Sequence, residues 1–395
     1  VPLELPPDQA MVDGPSKGGG DAVIVLNTAE QTINLGPVPA AARLSVNRGF
    51  SAPIKVRQAL SIDDRLALFQ SDTDLFNRWE VGQSLVRDFM LGAIGKKGGA
   101  GDKGLPPSAL PPFVEVLASH LTSEAIDPAL MARMMSLPAA PELAQAVDTV
   151  DPAAIVKARD WVAGHIAKEL RDLLIARLDR LPTDGAFSPS ADQAGRRALR
   201  RTLLTLLSAT DTEAVIERAE SLYERMQNMT DRITSLSAVN HLDDARREGL
   251  FARFYETWSH DPLVMDKWMG LQATSRRPGT FDRVKTLMRD RVFDLENPNR
   301  VRALLGMFAM HNLAAFHDAS GAPYSFFMDR IVDIDRLNPM LSSRLLPAVS
   351  EWSRLEPARR ALLKQALETL AHTENLSANL LEVLEKTRRT ETIDA

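Results

Sequence analysis

Asp151-Pro152-Ala153-Ala154-Ile155 opens a segment in which Ile155, Val162, Ile166, Leu170, Leu173, Leu174, Leu178 and Leu181 recur at helical spacing among Lys, Arg, Asp and Glu. An Asx side chain accepts hydrogen bonds from the orphan amides of a first helical turn, and proline at the first helical position loses nothing by lacking N–H. The stripe stays on one face, so the spacing predicts a single long helix packed on one side. The same start signal recurs at Asp127-Pro128, Asp261-Pro262, Asn297-Pro298 and Asn338-Pro339, each followed by apolar residues at helical intervals. Ser61-Ile62-Asp63-Asp64 reads as a shortened capping box where the helical texture begins. The intervals between starts are irregular, which argues against a fixed-period solenoid; helix pairs stacked into a curved array are the expected architecture.

Up to about Val56 the texture is β-like, with short apolar runs at Ala22 to Leu26 and Thr32 to Leu35 and with Pro37, Pro39 and Gly49 as breakers. Val1 follows neither an initiator methionine nor a basic-then-apolar secretory pattern, and it reads as a cut end. The 395 residues, 45% of them hydrophobic, suffice for two or three domains. With 47 Lys plus Arg against 52 Asp plus Glu, the net charge of -5 supplies no field for gripping nucleic acid. No apolar run is long enough to span a bilayer. Zero cysteines exclude disulfides and thiolate metal sites, and fit a reducing, cytoplasmic setting.

Candidate chemistry is sparse. Gly14-Pro15-Ser16-Lys17-Gly18 matches G-x-S-x-G, but a nucleophile elbow needs a strand-to-helix turn that this Pro and Gly context does not offer. The glycine-rich stretches Ser16 to Asp21 and Gly95 to Gly104 do not satisfy the phosphate-loop pattern and read as mobile surface loops. No histidine is followed by glutamate and none pairs with another at i, i+4, so no metal site is expected. His165, between Val162 and Ile166, reads as a packed helix residue. Arg196, Arg197, Arg200 and Arg201 read as a solvated face opposite Leu199, Leu203, Leu206 and Leu207. Arg302 and Arg344 differ, because each follows an Asn-Pro start and borders an apolar stripe, with Met340 one turn before Arg344; these side chains are candidates to line a cavity.

A collinear set of short strings carries a resemblance. Asn47-Arg48-Gly49-Phe50-Ser51-Ala52-Pro53, Phe76-Asn77-Arg78-Trp79-Glu80, Ile126-Asp127-Pro128-Ala129-Leu130, Val264 to Trp268, Asn297 to Arg302, Ser343-Arg344 and Glu374-Asn375-Leu376-Ser377 together resemble the C-terminal half of the bacterial aminopeptidase N family. These are zinc-dependent M1 metallopeptidases that remove N-terminal residues from peptides. The resemblance implies that residues 1 to 57 end a small β-sandwich domain. Residues 58 to 395 would form a mainly α, superhelical domain closing the substrate chamber.

In this family zinc polarises the scissile carbonyl and activates water, with a motif glutamate as general base. The zinc ligands and other catalytic parts lie upstream in relatives, so the resemblance implies no zinc bound by this chain and no peptide hydrolysis by it alone. Its partners would be peptide substrates and the enzyme's own catalytic domains. Arg302 and Arg344 would project into the chamber as donors to peptide carbonyls and carboxylate. Met340 would stand beside the pocket for the N-terminal side chain. Family members place glutamine there, and a thioether would favour apolar first residues. The competing reading is a free-standing helical scaffold that binds a protein in its concave face.

Overall fold

The computed structural model describes residues 28–32, 39–95, 98–100, 104–182, 186–226 and 228–389. Among these the regular structure is helical, and strand-like pairing is confined to an isolated bridge between Val150 and Leu355. The chain divides into two compact units, Val1–Gly82 and Gln83–Ala395. The Ser16 motif and the apolar run Ala22 to Leu26 lie outside the described residues, as do Ile33 to Leu35. The described part of residues 1 to 57 holds a 3-10 turn, Arg48–Phe50, within extended backbone.

In the first unit, two of the collinear strings meet. Asn47 and Phe50 adopt left-handed backbone, with φ of 55° and 52°, on either side of Arg48 and Gly49. Such a turn needs outside support, and Asp72 supplies it. Its buried carboxyl accepts from Arg48 Nη1 at 2.8 Å and from Ser45 Oγ at 2.7 Å. Gly49 N–H donates to Asp74 Oδ2, and Asn77 Nδ2 reaches the Val46 carbonyl, both at 2.8 Å. Phe50 lies 5.1 Å from Phe76, centroid to centroid. The string from Asn47 and the string from Phe76 thus form one locked corner. The adjoining helix Ile62–Ser71 starts at the Ser61–Asp64 capping box, both halves of which are present.

All five Asx-Pro signals start helices, and in each the Asx side chain accepts from first-turn amides. The second unit is built from neighbouring helices packed in pairs. Pro128–Met135 lies on Ala191–Leu207, Thr212–Arg225 on Met229–Val239, and Ala322–Leu337 on Pro339–Leu345. Phe316 anchors one core, fully buried, with Phe308, Tyr324 and Phe327 around it at 5.5 to 5.6 Å. Beside it His317 Nδ1 shares a 2.8 Å hydrogen bond with Tyr324 Oη.

Three sequence readings are corrected here. The helix from Pro152 is not continuous: Pro152–Glu169 ends at Leu170, where ψ is 7°, and Arg171–Arg180 follows. The apolar positions 162, 166, 170, 174 and 178 advance four residues at a time, and each step overshoots a full turn by about 40°. In a straight helix the stripe would wander to the opposite face; the break re-aims it, and Leu174 and Leu178 stay buried.

The four arginines do not form one solvated face either. Arg201 is exposed, but Arg200 is buried, with Nη1 on Asp231 Oδ1 at 2.7 Å and Nη2 on the Pro182 carbonyl at 2.8 Å. Asp231 comes from the neighbouring helix Met229–Val239 and is itself fully buried, so the pair neutralises charge that neither helix could hide alone.

The third correction concerns the second glycine-rich stretch. Part of it is packed rather than displayed: Gly98 and Ala100 are buried, although Gly104 is exposed, and a Cβ at Gly99 would collide with the Thr149 carbonyl oxygen. A Cβ at Gly104 would run into the main chain of Gly92.

Candidate functional site

Arg302, Met340 and Arg344 sit on two adjoining elements of the second unit. In the first, Asn297 caps Pro298–Val301, and the arginine that turns inward is Arg300, only 4% exposed. Its Nη2 donates to the Pro262 carbonyl at 3.2 Å. Its Nη1 approaches Asp266 Oδ1 to 2.9 Å, close enough for charge attraction although the N–H does not point along a hydrogen bond. Burial pushes the Asp266 carboxyl above its ordinary range, and Arg300 pulls it partly back. Arg300 therefore ties the Asn297-Pro298 start to the Asp261-Pro262 start.

Arg302, two residues on, points the other way and is exposed, with Nη1 donating to Asn299 Oδ1 at 3.0 Å. It heads a π-helical turn, Arg302–Gly306, a widening of the helix found disproportionately at functional sites. The turn ends against the second element. A Cβ built on Gly306 would stand 3.5 Å from Leu345 Cδ2 and 3.7 Å from Arg302 Cβ.

The second element, Pro339–Leu345, is held from behind by a carboxyl hub. Asp335 accepts from Ser342 Oγ and Ser377 Oγ at 2.6 Å and from Ser377 N–H at 2.7 Å. Asp335 and Ser342 are buried, as are Leu341 and Leu345. These contacts leave Met340, 56% exposed, and Arg344 on the outer side. Arg344 has no hydrogen-bond or ion-pair partner among the described residues. The sequence singled out the exposed arginines and passed over Arg300 and Asp335, which hold them in place. Of the serines in the quoted strings, only Ser377 takes part in that support.

A separate cavity of about 670 Å³ opens within the second unit, and none of Arg302, Met340 and Arg344 lines it. Arg159, Asp160, Arg201, His241, Arg276 and His311 are among its walls. Sequence reasoning missed it because these residues come from helices and connecting turns spread from Arg159 to His311. Among the described residues no group of three or more His, Asp or Glu side chains is placed to hold a metal ion. The donor set a catalytic zinc needs is thus not found in what the structure describes.

Helices packed in neighbouring pairs, with repeated Asx-Pro starts, define a helical-repeat protein. A family model described as a domain of unknown function, DUF3458_C, with ARM repeats matches residues 62–389, and the chain belongs to that family. It is 37% identical to Aminopeptidase N of Caulobacter vibrioides over 365 residues, covering 92% of this chain and 41% of that protein. To Aminopeptidase N of Escherichia coli it is 32% identical over 391 residues, covering 97% of this chain and 44% of that protein. A solved structure of Legionella pneumophila aminopeptidase A, in complex with aspartic acid, superposes with a TM-score of 0.76 at 27% identity, covering 87% of this chain and 40% of that one. The chain thus corresponds to the C-terminal part of aminopeptidase N-type proteins, as the collinear strings suggested, and spans less than half the length of these relatives.

Proposed function

We propose that this chain is the chamber-forming part of a zinc-dependent M1 aminopeptidase that takes residues from the N-terminus of peptides in the cytoplasm. The observation that carries this reading is similarity to Aminopeptidase N along nearly the whole chain, at less than half of those proteins' length. The zinc and its ligands belong to the remaining portion of such an enzyme, and residues 1 to 57 to the end of a β-sandwich that joins the two.

What this chain contributes is recognition. Arg344, and the part of the Arg302 guanidinium that Asn299 does not engage, offer donors on a braced surface, suited to the carbonyls and terminal carboxylate of a peptide. Met340, one turn before Arg344, offers a polarizable apolar surface to the first side chain.

The test compares the 395-residue chain, purified with and without added zinc, with the same chain continuous with the upstream portion found in its longer relatives. Only the longer protein is expected to hydrolyse alanine p-nitroanilide, and turnover by the short chain would overturn the reading. In the longer protein, Arg344→Ala is expected to raise KM for a tetrapeptide by about ten-fold with kcat nearly unchanged, the loss of one charge-assisted contact made in ground and transition states alike. Met340→Gln is expected to lower the Leu-to-Arg substrate preference; unchanged ratios would remove its assigned role.

A further inference from the structure

The cavity walled by Arg159, Arg201, His241 and Arg276 has an unusual balance of donors and acceptors. Three guanidiniums line it against one carboxylate, Asp160, in a chain whose net charge is -5. The positive charge is therefore local rather than a reflection of the whole surface. Arg276 Nη1 is the arm that Asp160 engages. Arg159 spends only Nε, on the Pro138 carbonyl at 2.9 Å, and its two terminal amino groups find no hydrogen-bond partner among the described residues. Arg201 likewise has no ion-pair partner among them.

His241 adds a donor. Its Nδ1 accepts from the Arg276 backbone N–H at 3.3 Å, which places the ring proton on Nε2. Burial first, then the cations Arg276, Arg159 and Arg247, push this imidazole down to about 3, so it is neutral at physiological pH. The same crowding acts on Arg159, which burial and then Arg276 pull below the usual arginine range. Groups that depress one another in this way lie close together, and a shared anion would relieve them.

We propose that this cavity is a binding site for a small oxyanion, a carboxylate or phosphate group gripped by Arg159, Arg201 and Arg276, with His241 Nε2–H as a further donor. Planar guanidiniums from three separate segments of the chain, lining one cavity, match the paired oxygens of either group. The site is independent of Arg302, Met340 and Arg344, and it stands whether or not the chain serves a peptidase. Asp160 is its built-in competitor, occupying Arg276 until an anion displaces it.

Calorimetric titration of the full chain with succinate and, separately, with inorganic phosphate tests the site, in a buffer free of other oxyanions. One-to-one binding is expected for at least one of the two, and the tighter of them identifies the source of the anion. Arg276→Gln is expected to weaken it about ten-fold, the loss of one charge-assisted hydrogen bond. Asp160→Asn is expected to tighten it about three-fold by freeing Arg276, a gain that a purely structural role for these residues would not produce. Circular dichroism confirms folding of each variant, and Arg276→Lys replaces Arg276→Gln if the latter unfolds. Absence of binding by both anions, or affinities that neither substitution moves, would overturn the proposal.

Discussion

Two polar clusters in the second unit are built on opposite plans. Around Asp335 the donors are matched: two serine hydroxyls and a backbone N–H converge on one carboxyl, among buried neighbours. Around the cavity the donors outnumber the acceptors, and Arg159 and Arg201 keep amino groups that nothing in the described protein uses. The difference separates polar groups that brace a fold from polar groups kept for something else. A buried cluster must be closed, because each unmade hydrogen bond costs the full desolvation of its partner. An open cluster at a cavity wall is tolerable only because water or a ligand can complete it.

The contrast is most easily broken at Asp335. Asp335→Ala leaves the Ser377 N–H without its acceptor, removes the carboxyl that both serine hydroxyls share, and unties the segment leading into Ala378–Arg389 from Pro339–Leu345. A loss of about 3 kcal/mol is expected in urea unfolding. A loss below about 0.5 kcal/mol would show that the hub braces nothing.

A smaller effect belongs to His317, which burial, and then Arg359, push down to about 4 from an ordinary 6.5. Between those values the unfolded chain takes up a proton that the folded chain refuses. The stability held by the neutral ring is therefore complete above about pH 6.5 and is lost as pH falls toward 4. Measured as urea midpoints, the advantage of the wild type over His317→Gln should shrink across that window; a constant difference would mean that the ring does not titrate there.

The smallest effect is expected where donors are open. Arg201→Ala and Arg344→Ala should each change stability by no more than about 0.5 kcal/mol, which a thermal melt can verify. A larger loss at either would place that arginine with the bracing groups.

How much of this could be read beforehand depends on the reach of each interaction. The five Asx-Pro caps and the Ser61–Asp64 box are local, closed within a few residues, and every one stands in the structure as read. Arg200 was opaque because Asp231, the partner that allows its burial, lies on another helix. The break at Leu170 was implicit in the four-residue advance of its stripe, but the even hydrophobicity hid it. Collinear short strings carried the family relationship. What they do physically, Arg48 with Asp72 or Asp335 with Ser377, rests on contacts between segments 24 residues or more apart that no pattern along the chain displays. The cavity was invisible for the same reason, its walls being assembled from segments distant along the chain.

The contact between Gly104 and Gly92 carries a consequence for how this surface can change over evolutionary time. Here two stretches of main chain touch with nothing between them, so even one methyl group at Gly104 has nowhere to go. Gly104 is nevertheless exposed to solvent. Accessibility, the usual guide to which positions drift freely, will mislead at this spot: an outward-facing residue is held as tightly as the interior, by its neighbour's backbone and not by its own side chain.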